Sequence, residues 1–152
     1  MGSPLYDSIW GTALRVTTST HRIIDRISGG RLLHRFPGGS QVIWIETLGR
    51  KSGQWRQTPL LAVPTTHGWG IAGSNAGQEK TPGWVYNVRA HPAGRVRVNG
   101  KESACTFGEL AGEEARAVYQ GLARSWRGYE MYARNIRRDI PVFEVILAPS
   151  TP

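Results

Sequence analysis

The chain has 152 residues with a hydrophobic share of 39%, which suits one domain with a single core and excludes an intrinsically disordered protein. Its formal net charge of +8 requires an anionic partner, which could be a lipid surface, a nucleic acid or an acidic small molecule. The single cysteine excludes an internal disulfide, and no apolar run is long enough for a membrane span, so we expect a cytoplasmic protein.

Residues 5–35 carry apolar side chains at helical spacing with arginines between them, which predicts one or two amphipathic helices. A basic amphipathic surface of this kind either packs on the rest of the domain or binds anionic lipid at the inner face of the membrane. The sequence Phe-Pro-Gly-Gly-Ser at 36–40 then breaks the pattern. We therefore predict an N-terminal helical segment and linker over residues 1–40, followed by a separate folded domain over residues 41–149.

Six short stretches rich in β-branched and aromatic residues predict β-strands. They cover residues 41–47, 55–64, 69–74, 95–98, 101–110 and 141–147. The pair Asn99-Gly100 is typical of a two-residue hairpin turn, because both residues tolerate a positive φ. Short strands joined by such turns favour an antiparallel sheet or barrel, and with the helices they predict an α+β fold.

Helices are predicted between and after the strands. Residues 81–90 predict a short helix with Thr81 as its N-cap and Pro82 at the first helical position, where its missing N–H costs nothing. Two further helices are expected over 112–126 and 129–137. The first of these begins with two glutamates, which the positive end of the helix dipole favours.

Several motifs that could carry a function are better explained otherwise. The glycines of 68–73 match the spacing of a dinucleotide-binding loop, but neither the helix nor the acidic residue that this motif requires follows them. The four histidines lack the spacing of a metal site, so no metal is expected. Cys105 lies in a predicted strand without acid–base partners and should be inert. No nucleic-acid-binding signature accompanies the positive charge, and we expect no nucleic-acid partner.

The stretch 49–56 combines two glycines, three cations and a serine between two apolar runs. Such a turn either is a solvated hairpin or directs backbone N–H groups and positive charge at one phosphate. Residues 74–77, Lys80, Trp84 and Asn87 follow at the end of the third strand and around the short helix. Together these segments offer the close backbone approach, the cations and the aromatic wall that a flat, polyanionic cofactor requires.

Two motifs in this region resemble the deazaflavin-dependent nitroreductase family of actinobacteria. The motifs are Thr47-x-Gly49-Arg50-Lys51-Ser52-Gly53-Gln54-x-Arg56-x-x-Pro59-Leu60 and Ala72-x-Ser74-x-x-Gly77-x-x-Lys80-x-Pro82-x-Trp84-x-x-Asn87. The similarity extends over residues 42–149. It implies a split β-barrel that binds coenzyme F-420 (F420), a 5-deazaflavin that carries a phosphate and an oligoglutamate tail.

The resemblance also implies which residues bind the cofactor. Arg50, Lys51 and Arg56 would hold its phosphate and tail. The other residues implied to contact the cofactor are Ser52, Gly53, Gln57, Thr58, Pro59, Leu60, Leu61, Ala72, Gly73, Ser74, Asn75, Lys80, Pro82, Gly83, Trp84, Val85, Tyr86, Asn87 and Tyr129. FMN or another flavin in the same kind of barrel is the alternative cofactor.

The reaction that the resemblance implies is hydride transfer from the reduced cofactor to a small-molecule acceptor, either a quinone, an enone or a nitro compound. Aromatic residues at spacing i, i+3, i+6 would lie over the ring, here Trp126, Tyr129 and Tyr132, although core packing also explains that spacing. Ser74 is the candidate to polarise the oxygen of the acceptor. Tyr129, Tyr132 or solvent would donate the proton. A non-catalytic protein that binds the deazaflavin or a lipid is the second alternative, and the sequence leaves the oligomeric state open.

Overall fold

Six antiparallel strands close into a barrel in the computed structural model, which describes residues 40–149. The strands are β1 (Gln41–Leu48), β2 (Trp55–Pro64), β3 (Gly68–Ala72), β4 (Ala93–Val98), β5 (Lys101–Leu110) and β6 (Val142–Leu147). Around the barrel the order is β1-β2-β3-β6-β5-β4, and β4 pairs with β1 to close it. The predicted helices of residues 5–35 and the predicted boundary at residue 40 lie outside the described residues.

Three α-helices and one 3₁₀ turn connect the strands of the described chain. They are the 3₁₀ turn Asn75–Gly77 and the helices α1 (Gly83–Ala90), α2 (Gly112–Ser125) and α3 (Gly128–Asn135). None of them is long and apolar enough to cross a membrane. The predicted hairpin between β4 and β5 is confirmed, because Asn99 and Gly100 both have positive φ values, 52° and 78°.

Most predicted bounds differ from the structure by one or two residues, and two of these differences concern the predicted site. The third strand ends at Ala72, so Ser74 lies in the following loop and not in the strand. The N-cap of α1 is Pro82 and not Thr81, because Pro82 keeps an extended backbone with a ψ of 146°. The fixed φ of proline suits either position, so ψ decides where the helix begins.

The barrel interior forms the main hydrophobic core. Side chains on neighbouring residues of a strand face opposite sides, so Ile43 and Ile45 of β1 and Val145 of β6 all point inward and are fully buried. Helix α1 adds its own buried face to this cluster, and the ring of Trp84 meets the ring of Phe143 edge-on at a centroid distance of 5.5 Å. This packing fixes α1 against the barrel.

A second, smaller cluster holds α2 and α3 on the outside of the barrel. Ala72 and Val142 are paired across β3 and β6 and face away from the interior, where they contact Val118 and Leu122 of α2. Tyr129 of α3 completes the cluster and is only 6% exposed. The two helices therefore lie over the end of β3, which leads into the 73–78 loop, and over the start of β6, which follows α3.

Candidate functional site

A cavity of about 470 Å³ lies where β2, the loop after β3, the start of α1 and helix α3 with the preceding Trp126 meet. Its lining residues are Thr58, Pro59, Leu60, Leu61, Ala72, Ser74, Asn75, Ala76, Pro82, Trp84, Trp126, Tyr129 and Tyr132. All of them except Ala76 belong to the site predicted from the sequence. The volume lies within the range of small-molecule and cofactor sites, and most of the lining is apolar or aromatic.

The other predicted cofactor-binding residues lie outside this cavity lining. They are Arg50, Lys51, Ser52, Gly53, Arg56, Gln57, Gly73, Lys80, Gly83, Val85, Tyr86 and Asn87. Two of them are turned toward other parts of the fold: Val85 is fully buried in the barrel core, and the amide of Gly73 donates a hydrogen bond to the carbonyl of Pro141 at 2.8 Å. The others lie on or next to α1 and the turn between β1 and β2.

One wall of the cavity is an aromatic triad, which we define as Trp126, Tyr129 and Tyr132. The three ring centroids are 5.5 to 5.9 Å apart and every pair meets edge-to-face, the arrangement that aromatic rings prefer. Helix α3 begins at Gly128, so Tyr129 and Tyr132 are three residues apart on one helical face. Trp126 is 49% exposed, whereas Tyr129 belongs to the second hydrophobic cluster. The triad therefore contributes both to the packing of the fold and to the wall of the cavity.

The phenol of Tyr129 is neutral at physiological pH. Burial raises the pKa of Tyr129 well above its ordinary value, and the nearby Tyr132 and Tyr119 add to the shift. Burial also raises the pKa of Tyr119 to about 12, and its hydroxyl donates to the carbonyl oxygen of Tyr129 at 2.5 Å. Tyr129 therefore keeps its proton throughout the pH range in which an enzyme would work.

The loop of residues 73–78 forms the edge of the cavity next to the triad. Asn75, Ala76 and Gly77 have φ values of 49°, 53° and 81°, three successive left-handed residues. The side-chain amide of Asn75 donates to the carbonyl of Lys80 at 2.8 Å, which fastens the turn to the start of α1. A Cβ on Gly77 would lie 2.7 Å from the ring of Tyr132, so only glycine lets the loop pack against the triad.

Arg138 holds this loop and was not predicted from the sequence. Its guanidinium donates hydrogen bonds to the carbonyls of Gly73, Ser74 and Gln78 at 3.0 to 3.1 Å. These partners are 60 to 65 residues away in the chain, and the segment around Arg138 has no recognisable motif. Nothing in the sequence signals the contact, which appears only when the fold brings the two loops together.

The turn between β1 and β2 carries the predicted cations, and we call residues 49–56 the cationic turn. Backbone hydrogen bonds close it: the Gly49 amide donates to the Gln54 carbonyl and the Gly53 amide to the Gly49 carbonyl, both at 2.8 Å. Gly53 has a φ of 65°, a conformation that glycine adopts without strain.

Helix α1 lies directly beside the cationic turn. The backbone N–H of Arg50 donates to the side-chain oxygen of Asn87 at 3.1 Å, and the Arg50 guanidinium lies 4.7 Å from the ring centroid of Tyr86. The amide nitrogen of Asn87 in turn donates to the hydroxyl of Thr47 at 3.3 Å. The two segments predicted to hold the cofactor are thus joined on one side of the molecule.

The cations of this region have no acidic partners within the described chain. Lys51, Arg56 and Lys80 are exposed and form no ion pair with any carboxylate of residues 40–149. Some cations elsewhere on the surface are paired, as Arg89 is with Glu109 at 2.6 Å. The positive charge beside the cavity is therefore available to an anionic ligand.

Comparison with known proteins finds one family that matches nearly the whole chain. The family model described as F420H(2)-dependent quinone reductase matches residues 15–147. An F420H(2)-dependent quinone reductase of Mycobacterium tuberculosis is 33% identical over 130 residues, which cover 80% of this chain and 84% of that protein. The resemblance to deazaflavin-dependent enzymes predicted from the sequence is confirmed by this match.

Two solved structures share the fold. One, described as a domain-swapped dimer, has 31% identity and a TM-score of 0.67 over 84% of this chain and 93% of the other. The second is an F420-H2 dependent reductase with 32% identity and a TM-score of 0.63, covering 68% and 92% of the two chains. The predicted antiparallel split barrel is confirmed by the strand order and by these two structures.

Proposed function

Because the chain belongs to the F420H(2)-dependent quinone reductase family, we propose that it transfers a hydride from reduced coenzyme F420 to a quinone. One structural observation carries this proposal. The cavity that contains Ser74, Tyr129 and Tyr132 lies beside a turn whose cations lack acidic partners in the described chain, and α1 connects the two.

The residues present fit coenzyme F420. The cavity offers apolar and aromatic walls for a flat ring, and the cationic turn offers charge for a phosphate and acidic tail. Helix α1 links the two places, because Pro82 and Trp84 line the cavity while Asn87 contacts Arg50. Between them Gly83 is exposed, with open space around the position of a Cβ. We propose that the ring lies in the cavity and that the tail passes Gly83 toward Lys51 and Arg56.

Reduced F420, when bound, supplies a hydride from C5 of its ring as a two-electron donor. The protein then has to align donor and acceptor and keep water away from them. Alignment of this kind lowers the activation free energy by an amount on the order of 7 kcal/mol. In our proposal Leu60 and Leu61 provide the dry wall on the side of β2, and the aromatic triad encloses the acceptor from the other side.

Reduction of a quinone by a hydride also consumes a proton. Two groups at the cavity are suited to stabilise the negative charge on the acceptor oxygen and to protonate it. The hydroxyl of the buried Ser74 would donate a hydrogen bond to the acceptor oxygen on which negative charge develops. Burial raises the pKa of Tyr129 and keeps its phenol protonated, so it can donate a hydrogen bond to the same oxygen, and we propose that Tyr129, Tyr132 or solvent supplies the proton. Tyr132, beside it on α3, is the second candidate donor.

Anaerobic turnover with several acceptors tests the proposed function. The protein is incubated with reduced F420 and, in separate reactions, a soluble quinone, an enone or a nitroaromatic compound, and the reoxidation of F420 is followed by absorbance. We expect rapid reoxidation with the quinone. Retention of FMN and not F420 would favour a flavin reductase, and tight binding of F420 without turnover would favour a carrier; either result would contradict the proposal.

We also propose that residues 5–35 contact anionic lipid, supported by the arginines that alternate with apolar residues in that segment and by the net charge of +8. This segment lies outside the described residues. Sedimentation with anionic and neutral vesicles tests the proposal, with a variant lacking residues 1–35 as the control. Equal sedimentation of both proteins with anionic vesicles would contradict it.

A further inference from the structure

We infer that Arg138 is a positioning residue for the acceptor. Its guanidinium holds the 73–78 loop in the one conformation that presents Ser74 to the cavity and seats Gly77 against Tyr132. The inference rests on the proposed function, since it assigns the acceptor to the side of the cavity that this loop forms. Arg138 does not line the cavity itself, so any effect on the reaction passes through the loop.

The contacts of Arg138 are unusual because they are made to backbone carbonyls and not to a carboxylate. One terminal nitrogen reaches the carbonyls of Gly73, Ser74 and Gln78, and Nε donates to Gln78 as well, at 3.3 Å. The other terminal nitrogen donates to the carbonyl of Asp139 at 3.2 Å. A lysine has no counterpart of Nε and of the second terminal nitrogen, so it would lose the bonds that these two atoms make to Gln78 and Asp139.

The loop needs such a support because its own backbone is unfavourable. A left-handed residue other than glycine or asparagine costs about 1 to 2 kcal/mol, and Ala76 is such a residue. Such conformations persist only where the surroundings hold them. The loop supplies two backbone hydrogen bonds of its own, from Gly77 to Ser74 at 3.0 Å and from Gln78 to Asn75 at 3.2 Å. Arg138 binds carbonyls on both sides of the strained turn.

A second contact joins the same two segments of the chain. The backbone N–H of Arg137 donates to the carboxylate of Glu79 at 3.0 Å, directly beside the bonds that Arg138 makes. This contact uses the backbone of Arg137, so its side chain can be changed without removing it. Arg137→Lys is therefore a matched control for Arg138→Lys, with the same charge and an adjacent position.

Release of the loop would act on the cavity and not on the cationic turn. Ser74, Asn75 and Ala76 all line the cavity, and Gly77 packs on the ring of Tyr132, so a relaxed loop changes both edges of the acceptor position. The cationic turn is closed by its own backbone and by Asn87, and it receives no hydrogen bond from Arg138. Binding of the acidic part of F420 should therefore be preserved.

Steady-state kinetics of Arg138→Lys, Arg138→Ala and Arg137→Lys test the inference. We expect kcat/KM for the quinone to fall about tenfold or more in both Arg138 variants, since displacement of a reacting group by about 1 Å has effects of this size or larger. The Kd for F420 should rise much less than kcat/KM falls, because the cationic turn that binds the acidic part of the cofactor is unchanged, and methylguanidinium in solution should partly restore Arg138→Ala. Wild-type kcat/KM in Arg138→Lys, or a rise of the F420 Kd in proportion to the loss of activity, would overturn the inference.

Amide hydrogen exchange separates a failure of this inference from a failure of the proposed function. The amides of Gly77 and Gln78 should exchange faster in both Arg138 variants than in the wild type and in Arg137→Lys, whether or not the protein reduces quinones. Unchanged exchange at these two amides would overturn the role of Arg138 as support of the loop. Absence of quinone reduction by the wild type would instead refute the proposed function.

Discussion

The cationic turn with α1 and the aromatic triad with the 73–78 loop are built in opposite ways. The turn is exposed and charged, and a few hydrogen bonds such as that between Arg50 and Asn87 hold it in place. The cavity lining on the triad side is partly buried and has no charged side chain, and side-chain packing with the bonds of Arg138 holds it. An exposed charged surface binds anions in a salt-dependent manner, whereas a neutral enclosed wall excludes water. We therefore assign affinity for the cofactor to the first region and turnover to the second.

The largest expected effect comes from breaking the packing under the triad. Leu122 is fully buried between α2 and the barrel, so Leu122→Ala should lower the free energy of unfolding by about 2 to 5 kcal/mol, measured by urea denaturation. Arg124→Ala, exposed on the same helix, is the control and should change stability by less than about 0.5 kcal/mol. Equal effects of the two substitutions would show that α2 does not depend on this cluster.

Removal of charge from the cationic turn tests the other region. The double variant Arg50→Ala and Lys51→Ala should raise the Kd for F420 about 30-fold, which corresponds to about 2 kcal/mol. Binding should also depend less on salt than in the wild type, because fewer ionic contacts form.

A matched control for this double variant removes the same charge from α3 and from the segment that follows it. Arg134→Ala with Arg137→Ala should leave the Kd for F420 within about twofold, since these cations lie away from the turn. A fluorescence titration at two salt concentrations measures both quantities. If the two double variants weaken binding equally, net charge and not the turn determines the affinity.

A smaller effect is expected from the hydroxyl of Tyr129. Tyr129→Phe should lower kcat about tenfold and leave the Kd for F420 unchanged, because the phenol would act as a proton donor and not as a binding group. The pKa of Tyr129 is raised, so the donor stays protonated and wild-type kcat should be flat from about pH 6 to about pH 9. If Tyr132→Phe loses the activity and Tyr129→Phe does not, the donor is Tyr132.

The smallest effect concerns the ion pair of Arg89 and Glu109, which joins the last turn of α1 to β5. The hydrogen bond from Arg89 lowers the pKa of Glu109, but both groups are about two-fifths exposed, so Glu109→Gln should cost less than about 1 kcal/mol. A carboxylate with a lowered pKa stabilises the fold above its ordinary pKa and loses this effect as pH falls through the lowered value. Urea denaturation should therefore show a difference from wild type at pH 7 that disappears in acid.

The barrel could be predicted because its sequence signals are local. Strands 55–64 and 101–110 were predicted with the bounds that the structure has, and Asn99-Gly100 fixed the hairpin between β4 and β5. Alternating apolar residues and turn glycines act over a few residues, so they can be identified without knowledge of the fold.

The loop at the candidate site could not be predicted in the same way. Its left-handed Ala76 has no preference for that conformation, and the groups that stabilise it, Arg138 and the ring of Tyr132, come from 56 or more residues away. The cavity itself depends on the docking of α3, which packing decides. The chemistry of the site was therefore accessible through the two motifs, while the support of the loop became visible only in the structure.

A structure of the protein with bound F420 tests the central claim most directly. Our account predicts that the deazaflavin ring lies between Leu61 and the aromatic triad, with C5 facing the space beside Ser74. The acidic tail should then contact Lys51 and Arg56. A ring bound outside this cavity, or a tail directed away from the cationic turn, would contradict the account.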